Sequence, residues 1–121
     1  MSAHRRKPSP RVQRNIAAGG AIALTHAIEV LVGQDGMTAF PAVRVLAWRV
    51  HAEVSQAPVK NSNPPSEHCI AGRQTAQAAM RIVSTVDGWT DYGNQITWDR
   101  AVADIKASCE RIRTEIAKWI S

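Results

Sequence analysis

The most regular pattern of apolar positions lies at the C-terminal end of the chain, between residues 97 and 121. Its apolar residues follow one another at alternating steps of four and three, the spacing that places side chains along one stripe of an α-helix. Most of the intervening positions are charged, so the stripe needs an apolar partner while the rest of the helix faces solvent. The stripe consists of Trp98, Val102, Ile105, Cys109, Ile112, Ile116 and Trp119. A helix is therefore predicted over residues 98–120.

Three earlier segments carry similar periodicity, and each has residues that favour the start or the end of a helix. Ser9 followed by Pro10 predicts one helix start, because a serine side chain caps a helix and proline is tolerated in the first turn. The glycines at 33–36 predict the end of that helix, and the prolines at 58–65 predict a loop. Helices are predicted over residues 10–32, 41–57 and 67–86. The expected caps of the later helices are Thr38, Ser66 and Thr97.

Each of these three helices has one face that is expected to be buried. In the first helix this face is predicted to contain Val12, Ile16, Gly20, Leu24, Ala27 or Ile28, and Leu31. In the second it contains Val43, Leu46, Ala47, Val50 and Val54, and in the third Cys69, Ala76, Ala79, Met80, Val83 and Val86. A glycine inside a helix costs about 1 kcal/mol relative to alanine. Gly19 and Gly20 are therefore expected where a neighbouring helix approaches closely.

The segment that follows residue 80 has two interpretations. In the first, the third helix ends before Asp87 and Gly88, which open a turn-rich connection to the last helix. In the second, residues 81–98 form a β-hairpin, because Asp-Gly between alternating residues favours a type I′ turn. The strong helix formers at 76–80 favour the first interpretation.

Length and composition agree with a folded helical protein. The chain has 121 residues, of which 45% are hydrophobic and 21% charged, the range of ordinary globular proteins. Four helices joined by short connections predict an all-α fold, a compact bundle of about four helices with a basic N-terminal arm. Residues 1–8 are predicted to form the flexible arm, and residues 9–121 a single helical domain.

The compartment is inferred from cysteines and from the absence of targeting signals. Two cysteines are too few for a disulfide framework, and the basic N-terminus is followed by Pro8 rather than by an apolar core. The most apolar run, 16–32, contains His26 and Glu29 and falls short of a membrane span. We therefore expect a cytoplasmic protein that does not contact a membrane.

Two groups of residues are candidates for binding another protein. Arg44, Trp48 and His51 recur at steps of four and three on one face of the second helix, and Arg with Trp is typical of binding hot spots. Trp89 and Tyr92 lie in the predicted connection, and loops often carry function. In the competing interpretation, Trp48 is buried against a neighbouring helix, and Trp89 and Tyr92 pack over one end of the bundle.

A second set of candidates is basic and would contact nucleic-acid phosphates. The net charge is +5, and five basic residues precede the first acidic residue, Glu29. Such an arm would supply affinity for the backbone without sequence choice. Two further arginines lie on the third helix, which could enter a groove. The predicted nucleic-acid-binding residues are Arg5, Arg6, Lys7, Arg11, Arg14, Arg73 and Arg81.

No constellation for catalysis, metal binding or cofactor binding is recognised. The histidines and cysteines lack the C-x-x-C or H-x-x-x-H spacing of a zinc site, and no glycine-rich phosphate loop follows a strand. We therefore expect a small non-enzymatic accessory or inhibitory protein, without cofactor or metal, that docks on a larger protein or nucleoprotein complex. The alternatives are direct DNA or RNA binding and a self-associating structural subunit; the oligomeric state stays open.

Overall fold

The computed structural model describes residues 8–60, 62–90 and 97–120. Throughout these ranges the regular secondary structure is helical and contains no strand, which confirms the prediction of an all-α fold. The α-helices are α1 (Pro10–Asp35), α2 (Phe40–Gln56), α3 (Glu67–Thr90) and α4 (Trp98–Ile116). Short 3₁₀ turns occupy Gly36–Ala39 and Ala117–Trp119.

The number of separate helical segments is smaller than predicted. α1, the 3₁₀ turn Gly36–Ala39 and α2 follow one another without a break, so the described backbone forms three helical runs rather than about four. Gly36 ends α1 with φ of +60°, and its N–H donates to Val32 O. Thr38 does not cap α2; its hydroxyl instead donates to Asp35 O at 2.6 Å. The glycine signal therefore marks a change of direction within one helical run.

The other three helix starts are capped as predicted. Ser9 Oγ accepts a hydrogen bond from Val12 N at 3.2 Å, Ser66 Oγ accepts one from Cys69 N at 3.1 Å, and Thr97 Oγ1 accepts one from Arg100 N at 3.2 Å. Each bond satisfies a backbone N–H that has no partner inside the helix. Local side-chain chemistry therefore sets these three boundaries.

The end of α3 is a correction to the sequence interpretation. The helix continues through Asp87 and Gly88 to Thr90, so residues 81–90 form neither a hairpin strand nor a turn. The ring of Trp89 packs edge-on against Phe40, with centroids 6.3 Å apart, and against Trp98 at 5.8 Å. This aromatic packing outweighs the local preference of Asp-Gly for a turn, because burial of a large side chain stabilises more than one glycine in a helix costs.

The helices pack in an order that surrounds one core. α1 contacts α2, α2 contacts α3, α3 contacts α4, and α4 also contacts α1. The stripe of α4 is buried from Ile105 to Trp119, while Trp98 and Val102 at its start are half-buried. The face predicted for α2 is confirmed, with Val43, Ala47, Val50 and Val54 buried and Leu46 half-buried.

The buried face of α1 differs from the prediction. Val12 and Ile16 were expected inside but are 45% and 64% exposed. The buried residues are Ala17, Ala18, Ala21, Thr25, Ile28 and Val32. Small side chains on this face let α1 lie close to its neighbours. Gly20 faces the side chain of Glu53, but a Cβ on Gly19 would meet nothing within 4 Å, so the expected close approach is wrong for Gly19.

The buried face of α3 is also shifted from the prediction. Ala79, Val83 and Val86 are buried as expected, whereas Cys69, Ala76 and Met80 are only half-buried. The residues that complete the buried face are Ala71, Thr75, Ala78 and Ile82. The half-buried residues therefore lie at the margin of the core.

The two ends of α4 are anchored by tryptophans. At the first end, Trp98 lies 5.5 Å from the ring of Phe40. At the second end, Trp119 is 1% exposed, and its Nε1 donates a hydrogen bond to His68 O at 2.8 Å. Arg113 also pairs with Glu29 of α1. Trp119 thus belongs to the core and does not extend the stripe of α4 toward a partner.

One helical run meets the length and composition of a membrane-spanning segment. Within Pro10–Gln56 an 18-residue window has a mean hydropathy of 1.7, and 33% of that window is buried inside the protein. Core helices of soluble proteins meet the same criterion. Cytoplasmic localisation therefore stays a prediction.

Candidate functional site

A groove runs along the surface between α2 and α3. It consists of two adjoining cavities of about 300 and 470 Å³, which share Ala76. We call it the α2–α3 groove; its lining includes His51, Val54, Ser55, Cys69, Gly72, Arg73, Ala76, Gln77, Met80, Arg81 and Ser84. From Cys69 to Ser84 the lining follows α3 for about 22 Å at 1.5 Å per residue. The groove is therefore long enough to hold about four turns of another helix.

Two small residues of α3, Gly72 and Ala76, line this groove. Gly72 and Ala76 lie one helical turn apart, and the ring of Trp119 packs directly against Gly72. A Cβ on Gly72 would lie 2.8 Å from Trp119 Cζ2, closer than carbon atoms normally approach. Glycine is therefore required here for Trp119 to lie beneath the groove and form part of its apolar lining.

Trp48 stands beside the groove on α2 rather than in the core. It is 40% exposed, and its ring meets that of His51 edge to face, with centroids 5.6 Å apart. His51 Nδ1 lies 3.4 Å from Ser55 Oγ, within hydrogen-bond distance. Val45, on the same helix, is 59% exposed. Trp48 and His51, which the sequence spacing placed on one face of α2, therefore lie next to each other, and Ser55 follows one helical turn further along.

Arg44, the remaining residue of the predicted α2 face, connects α2 to α3. Its Nε lies 2.8 Å from Asp87 Oδ1, and both side chains are partly exposed. An ion pair of this kind contributes at most about 1 kcal/mol. Its larger effect is geometric, because it fixes Arg44 against α3 one turn beyond Ser84, at the end of the groove.

Arg73 and Arg81 lie on the α3 side of the same groove. Both are exposed, and their eight-residue separation corresponds to about 12 Å along the helix. Among the described residues that line the two cavities there is no aspartate or glutamate. The structure therefore brings residues from two predicted sets to one groove: His51 of α2, and Arg73 with Arg81 of α3. Trp48 packs against His51 and does not line the groove itself.

The remaining predicted site residues are not part of this groove. Trp89 is half-buried in contact with Phe40 and Trp98, and Tyr92 lies outside the described residues. Arg11 is exposed near the start of α1, whereas Arg14 is half-buried and its Nη1 donates to Pro58 O at 3.2 Å. The predicted arm residues Arg5, Arg6 and Lys7 also lie outside the described part of the chain.

The two cysteines lie apart from any metal-binding cluster in the described part of the chain. Cys69 and Cys109 are both free thiols. Burial, reinforced by the Glu29 carboxylate, raises the pKa of Cys109 to about 12, so this thiol stays protonated at neutral pH. In the described ranges no three His, Cys, Asp or Glu side chains converge on a position for a metal ion. The absence of a cofactor, a metal and an enzymatic activity stays a prediction.

Comparison with known proteins does not assign the chain to a family. No family model matches it, and no match is found among curated proteins or solved structures. The candidate site is therefore interpreted from its own geometry and chemistry.

Proposed function

We propose that this chain is a small non-enzymatic binding protein, an accessory or inhibitory factor of the cytoplasm. Its helices form a compact bundle that docks on a larger protein or nucleoprotein complex through the α2–α3 groove. The observation that carries this proposal is that Trp48, which is 40% exposed, packs against His51, and His51 lines the same groove as Arg73 and Arg81. Trp and Arg are the residues most enriched among those that dominate binding energy.

The shape of the groove suits a helix of the partner. An amphipathic helix binds such a surface by inserting apolar residues at steps of three and four. Val54, Ala76 and Met80 provide apolar contacts along the groove. Exposed Arg73 and Arg81 favour acidic residues at the edges of the bound helix, because complementary charges guide association and exclude wrong partners.

A pair of matched substitutions tests this function. Trp48→Glu places a charge at the proposed contact, whereas Ile16→Glu places one at an exposed apolar position on α1. Proteins captured from the source cell by the wild-type chain are compared with those captured by each variant, after circular dichroism has shown that all three are folded. We expect Trp48→Glu to lose a protein that Ile16→Glu retains. Equal capture by both variants would contradict the proposal.

The alternative is direct binding of DNA or RNA through the basic arm and α3. It is favoured by the exposure of Arg73 and Arg81 on one helix and by the net charge of +5. Removal of one arginine that binds a phosphate should lower the slope of log affinity against log salt by about 1. We would therefore measure mobility shifts of the purified chain, Arg73→Gln and Arg81→Gln at several salt concentrations. Absence of any shift at low salt would exclude this alternative.

A further inference from the structure

A separate cavity of about 610 Å³ lies where the start of α1 meets the loop that precedes α3. Its lining includes Pro10 and Arg14 of α1, Pro58, Val59 and Lys60 of the loop, and His68 of α3. It shares only Val59 with the α2–α3 groove. Its volume falls within the range of about 300–1,000 Å³ that is typical of small-molecule sites.

The polar groups of this cavity are cationic or neutral. Arg14 and Lys60 bring positive charge, His68 adds an imidazole, and the lining contains no aspartate or glutamate among the described residues. α1 begins at Pro10 and has no acidic residue in its first turn, so the positive end of its dipole borders this space. α3 also begins here, just after Ser66, but Glu67 in its first turn offsets the positive end of that helix. The electrostatic environment therefore favours a negatively charged group.

Arg14 has hydrogen-bonding capacity that the protein does not use. Its Nη1 donates to Pro58 O at 3.2 Å, whereas its Nε is shielded from solvent and has no acceptor. A ligand in the cavity cannot reach the shielded Nε, but the guanidinium carries further N–H groups and a permanent positive charge that can bind an anion. The contact with Pro58 holds the side chain at the cavity.

Apart from Ser66, whose hydroxyl caps α3, the remaining walls are mainly apolar. Pro10, Pro58 and Val59 present rings and methyl groups beside the charged side chains. A free inorganic anion would leave these surfaces in contact with water, whereas a ligand with an apolar body would cover them. The cavity thus combines one anion-binding end with a surface that binds hydrocarbon.

We propose that this cavity binds an amphipathic anion: an apolar chain or ring that carries one carboxylate or phosphate. The anionic group lies between Arg14 and Lys60, and the apolar body contacts Pro58 and Val59. This binding goes beyond the proposed docking function and does not require the α2–α3 groove to be occupied.

Decanoate, a ten-carbon carboxylate, is a direct probe when it is used below its micelle concentration. Isothermal titration of the full chain should show saturable one-to-one binding, and decanol, which lacks the charge, should bind about tenfold more weakly or worse. Lys60→Gln and Arg14→Gln should each weaken decanoate binding by about tenfold. Arg49→Gln, at an exposed position on α2 outside the cavity, is the matched control and should leave binding unchanged.

Three results would overturn the proposal: no binding of decanoate, equal binding of decanol, or equal binding by Lys60→Gln and Arg49→Gln. Lys60 is exposed, so its variant keeps the test valid if Arg14→Gln fails to fold. Sedimentation with vesicles that contain phosphatidylglycerol distinguishes the source of the anion. Binding of both decanoate and vesicles, each weakened by Lys60→Gln, would indicate a lipid, and binding of decanoate alone a free ligand. Binding of vesicles alone would contradict a site inside the cavity.

Discussion

Because Trp119 packs on Gly72, we expect the substitution of glycine by alanine to have opposite effects on stability at Gly72 and at Gly19. Both Gly19 and Gly72 lie inside helices, where alanine is favoured over glycine by about 1 kcal/mol. A Cβ on Gly19 would meet nothing within 4 Å, so Gly19→Ala should stabilise the protein by about 0.5–1 kcal/mol.

At Gly72 the same gain is outweighed by a collision. The new Cβ would lie 2.8 Å from Trp119 Cζ2, so the ring must move by about 0.7 Å to reach a normal carbon–carbon distance near 3.5 Å. Trp119 is fully buried and is fixed by its hydrogen bond to His68 O at 2.8 Å. Overpacking costs about 1–3 kcal/mol, and a weakened hydrogen bond costs about 1 kcal/mol more. After the gain in helix propensity, Gly72→Ala should destabilise the protein by about 2 kcal/mol.

Urea unfolding followed by circular dichroism at 222 nm measures both effects. If the unfolding free energy of each variant falls with urea concentration at the same slope as that of the wild type, differences in midpoint reflect stability alone. Replacement of Trp119 by leucine should reduce the cost of Gly72→Ala, because the two positions are in contact and their effects are then not additive. If Gly72→Ala is as stable as Gly19→Ala, the described packing of Trp119 against α3 is incorrect.

Two further predictions concern buried polar groups. Burial raises the pKa of the Cys109 thiol from 9.0 to about 12, so the folded state holds this proton more tightly than the unfolded chain does. The protonated thiol therefore favours the folded state fully at pH values below 9, and this contribution to stability is lost as the pH rises from 9 toward 12. Between pH 9 and 11 the wild type should lose about 1 kcal/mol per pH unit more than Cys109→Ala in urea unfolding, and parallel losses would contradict the burial of the thiol. The fully buried hydroxyl of Thr75 has no hydrogen-bond partner, so Thr75→Val should raise the unfolding free energy by about 1 kcal/mol. Thr25→Val removes a hydroxyl that donates to Ala21 O at 2.7 Å, so it should raise the unfolding free energy by less than Thr75→Val does. Equal increases for the two variants would contradict the conclusion that the Thr75 hydroxyl has no hydrogen-bond partner.

The parts of the fold that were predictable from the sequence depend on local chemistry. Ser9, Ser66 and Thr97 cap helices because their hydroxyls reach the backbone N–H three residues away, and no tertiary contact is needed. The stripe of α4 is unambiguous because charged residues occupy the rest of its surface.

The errors occur where packing between distant elements decides the outcome. α1 has apolar or small residues on several faces, so periodicity alone did not reveal that the alanine face is buried and that Ile16 is exposed. The length of α3 depends on contacts of Trp89 with Phe40 and Trp98, which are distant in sequence. The count of separate helices depended on Gly36, whose turn continues as 3₁₀ helix into α2.

The candidate site was predictable only in part for the same reason. Spacing along one helix located Trp48 and His51 on a common face. This spacing could not place Arg73 and Arg81 in the same groove as His51, because a proline-containing loop separates α2 from α3 and the pairing of these helices is a tertiary property. Nor could the groove be anticipated, since it depends on the contact between Gly72 and Trp119.

Site-specific photo-crosslinking tests the central claim, that a partner binds in the α2–α3 groove, most directly. A benzophenone amino acid is introduced at Gln77, which lines the groove, and in a separate variant at Ala23, an exposed position on α1. After irradiation in the source cell, we expect position 77 to yield a crosslinked partner protein that position 23 does not yield. The crosslinked peptide of that partner should lie in an acidic amphipathic helix. Crosslinks from position 23 alone, or the same products from both positions, would contradict it.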